Sequence, residues 1–209
     1  MQEPTMELIE QDLVTRLRNG EEDAVGDLAS AYGSRVYQLA LRYLKNPEDA
    51  EEVTQDVLLK VSQRIDAFRG DAALSSWIYR ITFNSAMSKL RSGRAARQAA
   101  IEEATRDGGS VRPTARPEIA DSGPLADEEV LHSELRVALA RALKELPMLY
   151  RAPVILRDIE GLSTEEASAV LHVKGQTLKS RLHRGRLILR DQLADFAEGL
   201  TLHRSTTIH

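Results

Sequence analysis

Apolar residues between Leu8 and about Arg94 recur every three or four positions, the spacing of one face of a helix. Two such series lie before the first strong break: Leu13, Leu17, Ala24, Leu28, Tyr32 and then Val36, Leu39, Tyr43, Leu44. Asn46-Pro47 predicts the end of one helix and the start of the next. That next helix carries one apolar face: Ala50, Val53, Val57, Val61, Ile65. Phe68–Asp71 is typical of a loop, and a further helix is predicted from Ser75 or Ser76 through Leu90. The pattern predicts a bundle of four helices within residues 1–94.

The composition changes over residues 95–128. Glycine and proline are frequent there, and bulky apolar residues are almost absent. Residues 95–130 contain four arginines and eight acidic residues, a net charge of −4. Such a segment buries too little apolar surface to offset the entropy of ordering it, so we predict a flexible acidic linker.

Helical spacing returns near Glu129 and predicts a second helical domain over residues 129–197. Leu135, Leu139 and Leu143 share one stripe, and Leu146-Pro147 ends that helix. Further helices are predicted over 148–160, 163–171 and about 176–197, with a tail over 198–209. The fold class is therefore all-α: two small helical domains, an N-terminal bundle and a C-terminal helix-turn-helix domain, joined by a linker.

Overall composition narrows the possible functions. The formal net charge is −4, so any nucleic-acid binding must depend on local charge. The chain has no cysteine, and its histidines show no ligand spacing, so we expect no metal and no cofactor. No catalytic arrangement of side chains is recognisable, and we expect no enzyme. The chain lacks a signal peptide and an apolar run of the roughly 18 residues that span a bilayer, so we expect a cytoplasmic protein without membrane insertion.

A helix-turn-helix is predicted over residues 163–190. Ser163 and Glu166 have the spacing of a capping box, which begins a short helix. His172-Val173-Lys174-Gly175 follows as a tight turn containing glycine, and a longer helix begins at Gln176.

Charge distinguishes the faces of that second helix. Leu178, Leu182 and Leu189 form the stripe predicted to be buried, and Lys174–Arg190 contains six basic residues and no acid. Recognition helices contact bases from their N-terminal residues and phosphates along their flanks. Side chains suited to both contacts are Gln176, Thr177, Lys179, Ser180, Arg181 and Arg184. A solvated basic face on a bundle helix is the alternative interpretation.

Three groups of residues carry a family resemblance. The segment Leu178–Arg184 resembles the recognition helix of extracytoplasmic-function (ECF) sigma factors, group 4 of the sigma-70 family, and Ala142–Pro147 and Glu160–Ala167 are similar to the helices before it. Asn46–Val57 resembles the polymerase-binding segment of that family. Phe68–Asp71 with Ser75–Asn84 is similar to its promoter-melting segment. The two domains that contain these segments, in the family's order and joined by an acidic linker, cover about 170 of the 209 residues.

The resemblance implies that the chain binds core RNA polymerase and promoter DNA and helps to open the promoter. The implied polymerase-binding residues are Asp49, Glu52, Val53, Gln55, Asp56, Leu59 and Lys60. The implied −10 residues are Phe68, Arg69, Ser75, Ser76, Trp77, Arg80, Asn84, Lys89 and Arg91. The implied −35 residues are Ser163, Thr164, Gln176, Thr177, Lys179, Ser180, Arg181, His183, Arg184 and Arg186. An anti-sigma factor is implied as a further partner by the resemblance alone.

Several alternatives stay open at the level of sequence. Acids at the start of a helix also favour the helix dipole, which would explain Glu48, Asp49 and Glu51 without a partner. Trp77 suits core packing better than base stacking. The linker resembles a connector threaded through polymerase channels, but it equally suits a plain tether. The whole chain could instead be a stand-alone helix-turn-helix regulator, or a helical adaptor that only sequesters a partner.

Overall fold

The computed structural model describes the backbone of residues 6–106 and 127–205, and all regular structure in these ranges is helical. The α-helices are α1 (Met6–Arg18), α2 (Glu22–Leu44), α3 (Pro47–Gln63), α4 (Leu74–Arg106), α5 (Asp127–Glu145), α6 (Met148–Val154), α7 (Thr164–Leu171) and α8 (Gly175–Ser205). A 3-10 turn, Ile65–Ala67, follows α3, and a π-helical turn, Ile155–Ile159, follows α6. The predicted all-α fold class is confirmed.

The break between α2 and α3 lies where the sequence predicts it. Lys45 adopts a left-handed conformation with φ of 62° and donates its amide to the Leu41 carbonyl, which ends α2. The Asn46 side chain then accepts the Asp49 amide at 3.0 Å, and Pro47 occupies the first turn of α3. Proline is well suited to that position because the first helical amides have no partner inside the helix.

Two compact units divide the chain. The first comprises Met1–Leu90 and Pro147–Arg186, and the second comprises Arg91–Leu146 and Leu187–His209. In the first unit, one continuous core joins the predicted faces of α1 to α4 to residues of α6 to α8. Its largest fully buried side chains are Leu28, Val36, Leu39, Tyr43, Val57, Val61, Leu74, Ile78, Ile155, Leu156 and Leu178. Burying each such side chain stabilises the fold by about 1.5–3 kcal/mol relative to exposure.

Three helices differ in length from their predictions. Helix α4 begins at Leu74 and continues to Arg106, past the predicted end at Leu90 and into the segment predicted as linker. Its extension is rich in alanine and arginine, which have high helix propensity even without an apolar face. Helix α8 continues to Ser205, and the predicted helix over 148–160 is divided into α6 and the π-helical turn. Positions 107–126 of the predicted linker and 206–209 of the tail lie outside the described residues.

The stripe predicted on α5 is only partly buried. In the second unit, Ala142 and Leu146 are buried, whereas Leu135 and Leu139 are exposed. The apolar spacing therefore identified the helix correctly but not its buried residues.

Candidate nucleic-acid interface

The predicted capping box is present at the start of α7. The Ser163 hydroxyl accepts the Glu166 amide at 3.1 Å, and the Glu166 carboxylate accepts the Ser163 amide at 2.8 Å. These two bonds satisfy amides that a helix start otherwise leaves unpaired. The first helix of the helix-turn-helix is thus fixed by its own sequence.

The turn between α7 and α8 lies within the predicted segment His172–Gly175, and its left-handed residue is not the glycine. His172, not Gly175, has the left-handed conformation, with φ of 52°, and its amide donates to the Ser168 carbonyl. Gly175 is already the first residue of α8, and a Cβ there would make only ordinary contacts of 3.9 Å. Histidine is among the non-glycine residues that adopt this conformation more often, so the turn does not require glycine.

The faces of α8 separate as the sequence predicts. Leu178, Leu182 and Leu189 are buried. The polar side chains Gln176, Lys179, Ser180, His183, Arg184 and Arg186 are exposed, while Thr177 and Arg181 are half-buried. The first helix, α7, contributes Ser163 and Thr164 at its start, both half-buried. The exposed set has the donors and positive charge that a DNA groove binds.

Gly185 is a structural residue of α8 that the sequence analysis missed. A Cβ at this position would lie 2.9 Å from Val154 Cγ2 and 3.1 Å from the Tyr150 carbonyl oxygen. Helix α6 therefore approaches α8 so closely that a larger residue at position 185 would force α6 or the Val154 side chain to shift. A glycine inside a long helix was the available signal, because it costs about 1 kcal/mol relative to alanine without a packing reason.

One basic residue of the candidate −35 set already has an acidic partner. Arg186 forms two hydrogen bonds to the Asp158 carboxylate, Nη2 to Oδ1 at 2.5 Å and Nε to Oδ2 at 3.0 Å. These bonds raise the pKa of the Arg186 guanidinium. The π-helical turn presents Asp158, so Arg186 joins α8 to that turn as well as presenting charge.

Helix α3 presents most of the candidate polymerase-binding residues. Glu52, Gln55 and Leu59 are exposed, and Leu59 is an apolar side chain 56% exposed. Asp49, Asp56 and Lys60 are half-buried, with Lys60 bonded to Asp56 at 2.6 Å. Val53 is a correction: it is 3% exposed and lies in the core, because its position on the helix faces inward with the other valines.

Lys89, predicted to contact the −10 element, is engaged by α3. Its ammonium lies 2.5 Å from Glu52 and 3.4 Å from Asp49, and these bonds raise its pKa. The Lys89 side chain therefore extends from α4 to the acidic surface of α3, where these two ion pairs hold it.

The candidate −10 residues lie in the loop before α4 and along α4 itself. Phe68 and Trp77 contact each other with ring centroids 5.6 Å apart, and both pack partly against the core, as the packing interpretation of Trp77 expects. Arg69, Arg80, Asn84 and Arg91 are exposed, and Ser75 is half-buried.

A cavity of about 400 Å³ lies beside this loop. It is lined by Phe68, Arg69, Asp71, Ser76, Trp77 and Arg80, and also by Glu166, Ala169 and Val170. Ser76 is buried, and its hydroxyl donates to the Glu166 carboxylate at 2.7 Å.

Two more polar contacts join the bundle to the helix-turn-helix segment, and neither was predicted. Arg42 Nη1 lies 2.6 Å from Glu160 Oε1, and the buried Arg151 donates from Nη2 to the Tyr43 carbonyl at 3.0 Å. Burial, followed by the nearby Glu160 carboxylate, raises the pKa of Tyr79 to about 12. The Ser76 and Ser163 hydrogen bonds lower the pKa of Glu166. Arg42 and Glu160 are more than a hundred positions apart, as are Tyr43 and Arg151, so no periodic pattern signals these two pairings.

Other kinds of site are not found in the described part of the chain. No group of three or more His, Asp or Glu side chains is placed to hold a metal ion there. No helix within the described ranges is both long and apolar enough to cross a membrane.

Comparison with known sequences agrees with this arrangement. The sequence model of Sigma-70 region 2 matches residues 28–96, and that of Sigma-70 region 4 matches residues 136–189. The ECF RNA polymerase sigma factor SigW of Bacillus subtilis is 30% identical over 190 residues, covering 91% of this chain and 100% of SigW. The ECF RNA polymerase sigma-E factor of Escherichia coli is 31% identical, covering 86% of this chain and 92% of that protein. SigE of Mycolicibacterium smegmatis is 37% identical over 82% of this chain and 66% of its own length. The chain therefore belongs to the sigma-70 family, among its ECF RNA polymerase sigma factors.

Solved structures share the fold. CnrH in complex with the cytosolic domain of CnrY matches with a TM-score of 0.60 at 22% identity, covering 89% of this chain and 97% of that one. The sigma factor RpoE in complex with the anti-sigma factor NepR, from Bartonella quintana, also matches with a TM-score of 0.60, at 24% identity, covering 82% and 98%.

Proposed function

We propose that different surfaces of this sigma factor bind core polymerase, the −10 element and the −35 element. Helix α3 binds core RNA polymerase, the Phe68–Ser76 loop and the exposed face of α4 hold the −10 element, and α8 reads the −35 element. The protein acts in the cytoplasm, at the nucleoid when bound to polymerase. It recruits polymerase to promoters and positions it there, and it catalyses no reaction itself. The observation that carries this proposal is the separation of faces on α8, with leucines buried and basic and amide side chains exposed.

The assignment of α8 is tested by removing its two central arginines. Replacing Arg181 and Arg184 with alanine should abolish −35-dependent initiation, because phosphate and base contacts are lost, while binding to core polymerase stays near normal. Arg190→Ala is the control for each single substitution, since it also removes one positive charge, from an exposed position further along α8 where Arg190 bonds to Asp191. Loss of core binding in the double variant would refute the separation of roles.

The assignment of α3 is tested by charge reversal. Asp56→Arg should weaken binding to core polymerase, because it places a positive charge on an acidic surface beside Leu59. Asp66→Arg is a control at an exposed acid outside that set, in the 3-10 turn. Unchanged core affinity in Asp56→Arg would remove α3 from the interface.

The same binding assay distinguishes the alternative functions. A stand-alone regulator would bind a promoter duplex without polymerase and would fail to bind core enzyme. A helical adaptor would contact DNA in neither setting. A sigma factor forms a complex with core enzyme and then directs run-off transcription from a specific promoter.

For the −10 element, the cavity beside Phe68 and Trp77 supports capture of an unpaired base. Its mixture of aromatic and guanidinium groups suits stacking and hydrogen bonding with a base that has left the duplex.

An anti-sigma factor is a further proposed partner, because the structurally similar RpoE is bound to the anti-sigma factor NepR and CnrH is bound to CnrY. Co-purification from the source cell, followed by identification of the bound protein, tests that partner.

A further inference from the structure

Helix α1 contains none of the residues proposed above to bind polymerase or DNA, yet its last residue contacts the loop before α4. Arg18 donates a hydrogen bond from Nη2 to the Phe68 carbonyl oxygen at 2.6 Å. The loop Phe68–Ala73 lies between the 3-10 turn and α4, and we call it the −10 loop after the element that the proposed function assigns to it. Arg18 and Phe68 are 50 positions apart, so this bond is a tertiary contact.

Helix α1 is fixed against α2, and this gives Arg18 a defined position. Glu10 accepts the Tyr32 hydroxyl at 2.7 Å near the start of α1. Near its end, the Arg16 guanidinium pairs with the Asp27 carboxylate at 2.6 Å. The side chains of α1 that are buried in the core are Leu13, Val14 and Leu17. Arg18 therefore extends from a helix that is anchored by both apolar packing and polar contacts.

The −10 loop has little other support. Residues 69–73 are exposed, and Gly70 has a left-handed conformation with φ of 79°. Two cavities border the loop: the one of about 400 Å³ beside Trp77, and a second of about 550 Å³ that is also lined by α1. Within the described part of the chain, Arg18 is the one side chain that hydrogen-bonds to the loop. The conformation of the loop therefore depends on this bond more than a packed segment would.

The Arg18 bond fixes a residue that forms a wall of the candidate base-binding cavity. The Phe68 amide donates to the Ile65 carbonyl at 3.0 Å, and the Phe68 carbonyl accepts from Arg18. The Phe68 ring contacts Trp77, with centroids 5.6 Å apart, and both rings line the cavity. Arg69 follows Phe68 directly and lines the same cavity. Loss of the Arg18 bond would therefore free the peptide group between two residues of the cavity wall.

We propose that Arg18 is a positioning residue for promoter opening: from α1, it holds the −10 loop in the conformation that receives an unpaired base. The inference rests on the proposed function, because it uses the assignment of this loop to the −10 element. Capture of an unstacked base stabilises the open strand, and a cavity whose walls are already ordered loses less conformational entropy when the base enters. Arg18 therefore acts on the opening step, and not on binding of polymerase or of the closed promoter.

The fluorescence of the free chain measures the contact directly, because Trp77 is the only tryptophan in the sequence. Arg18→Met removes the hydrogen-bond donor and keeps an unbranched side chain of high helix propensity. We expect stronger acrylamide quenching and a red-shifted emission of Trp77, because the Phe68 ring would shield the indole less of the time. Arg18→Lys keeps a donor and the charge, and it should return both signals towards the parent values. Parent signals in Arg18→Met would overturn the proposal.

The kinetics of promoter opening separate a positioning role from a general structural one. In holoenzyme with Arg18→Met, core affinity and closed-complex affinity should stay at the parent values. The rate of opening, on a promoter selected with the holoenzyme, should fall about three- to tenfold, which is the range that one hydrogen bond supports. Arg18→Lys should recover most of that rate. General destabilisation would instead lower both affinities together with the rate, and this result would overturn the positioning role.

An abasic site scanned through the −10 element tests whether Arg18 acts through base capture. At the position whose base enters the cavity, the parent should open the promoter slowly. Arg18→Met should slow it no further there, because both changes remove the same interaction. At the other positions the two effects should multiply. Multiplication at every position would show that Arg18 does not act through the captured base, and the proposal would fail.

A direct contact between Arg18 and a DNA phosphate predicts a different result. Losing such a contact would weaken the closed complex and reduce the slope of its salt dependence by about 1, with no change in Trp77 fluorescence. That outcome would also overturn the proposal. Arg64→Met is the matched control, since Arg64 is an exposed arginine of the same bundle whose backbone amide ends α3. It should leave the fluorescence and the opening rate unchanged.

The two assays distinguish failure of this inference from failure of the proposed function. A parent holoenzyme that opens no promoter would refute the proposed function, and the role of Arg18 in opening with it. The fluorescence of the free chain would still decide whether Arg18 holds the loop. A parent that opens its promoter normally, beside an Arg18→Met variant that does the same, would refute the role of Arg18 alone.

Discussion

Replacing Gly185 with alanine should destabilise the helix-turn-helix, although alanine is the better helix former. The added methyl group would lie 2.9 Å from Val154 Cγ2 and 3.1 Å from the Tyr150 carbonyl oxygen. The first contact can be relieved by a rotamer change, but the second is with backbone inside α6, where movement would shift the whole helix.

The expected magnitude follows from two opposing terms. Overpacking of this kind costs about 1–3 kcal/mol, and occasionally more. Replacing a mid-helix glycine with alanine contributes about 1 kcal/mol in the opposite direction. We expect a net loss of about 0–2 kcal/mol in the free energy of unfolding, towards the upper end because the backbone oxygen yields least.

Gly26→Ala is the matched control. Gly26 lies inside α2, and a Cβ there meets nothing within 4 Å, so only the propensity gain of up to about 1 kcal/mol remains. Urea denaturation measures both variants, and hydrogen exchange of the α6 and α8 amides locates the effect. If Gly185→Ala stabilises the protein as much as Gly26→Ala does, the close approach of α6 to α8 is not real.

Three further substitutions, and a fourth that serves as a comparison for the third, address the polar contacts. Ser163→Ala should cost about 1 kcal/mol in urea unfolding, since it removes the hydroxyl half of the capping box, and exchange protection at the start of α7 should fall. The lowered pKa of Glu166 stabilises the folded state fully above the pKa of the carboxyl in the unfolded chain, and this contribution is lost as pH falls through the folded pKa. Acid titration of stability should therefore become flatter in Glu166→Gln, and an unchanged acid profile would contradict the bond to Ser76. Tyr43→Phe should leave stability unchanged or higher, because its buried hydroxyl has no partner among the described residues. Tyr32→Phe, which loses a 2.7 Å bond to a glutamate of α1, should instead cost about 0.5–1.5 kcal/mol, and equal effects of the two variants would contradict this difference.

Local features of the fold were predictable because they depend on neighbours in sequence. The break at Asn46-Pro47 depends on a side-chain cap and a proline, and the capping box depends on two residues three positions apart. The helical spacing of the leucines in α8 likewise predicts its buried face. The basic face of α8 followed from that stripe, so much of the candidate −35 site was visible before the structure.

The remaining features depend on contacts between distant segments. The pairing of Arg42 with Glu160 spans more than a hundred positions, and no local pattern selects those two charges from the others. Val53 was assigned to a partner surface because the resemblance covers the whole helix, whereas burial depends on which face meets the core. The length of α4 exceeded its prediction because its extension has helix propensity without amphipathic spacing.

The two oxygens of Glu166 have a consequence for genetics. One oxygen accepts the Ser163 amide at the start of α7, and the other accepts the Ser76 hydroxyl at the start of α4, so any substitution at this position removes two contacts at once. A second-site substitution that restores one bond leaves the other broken. A search for suppressors of a Glu166 substitution should therefore recover the original residue far more often than a change elsewhere in the chain.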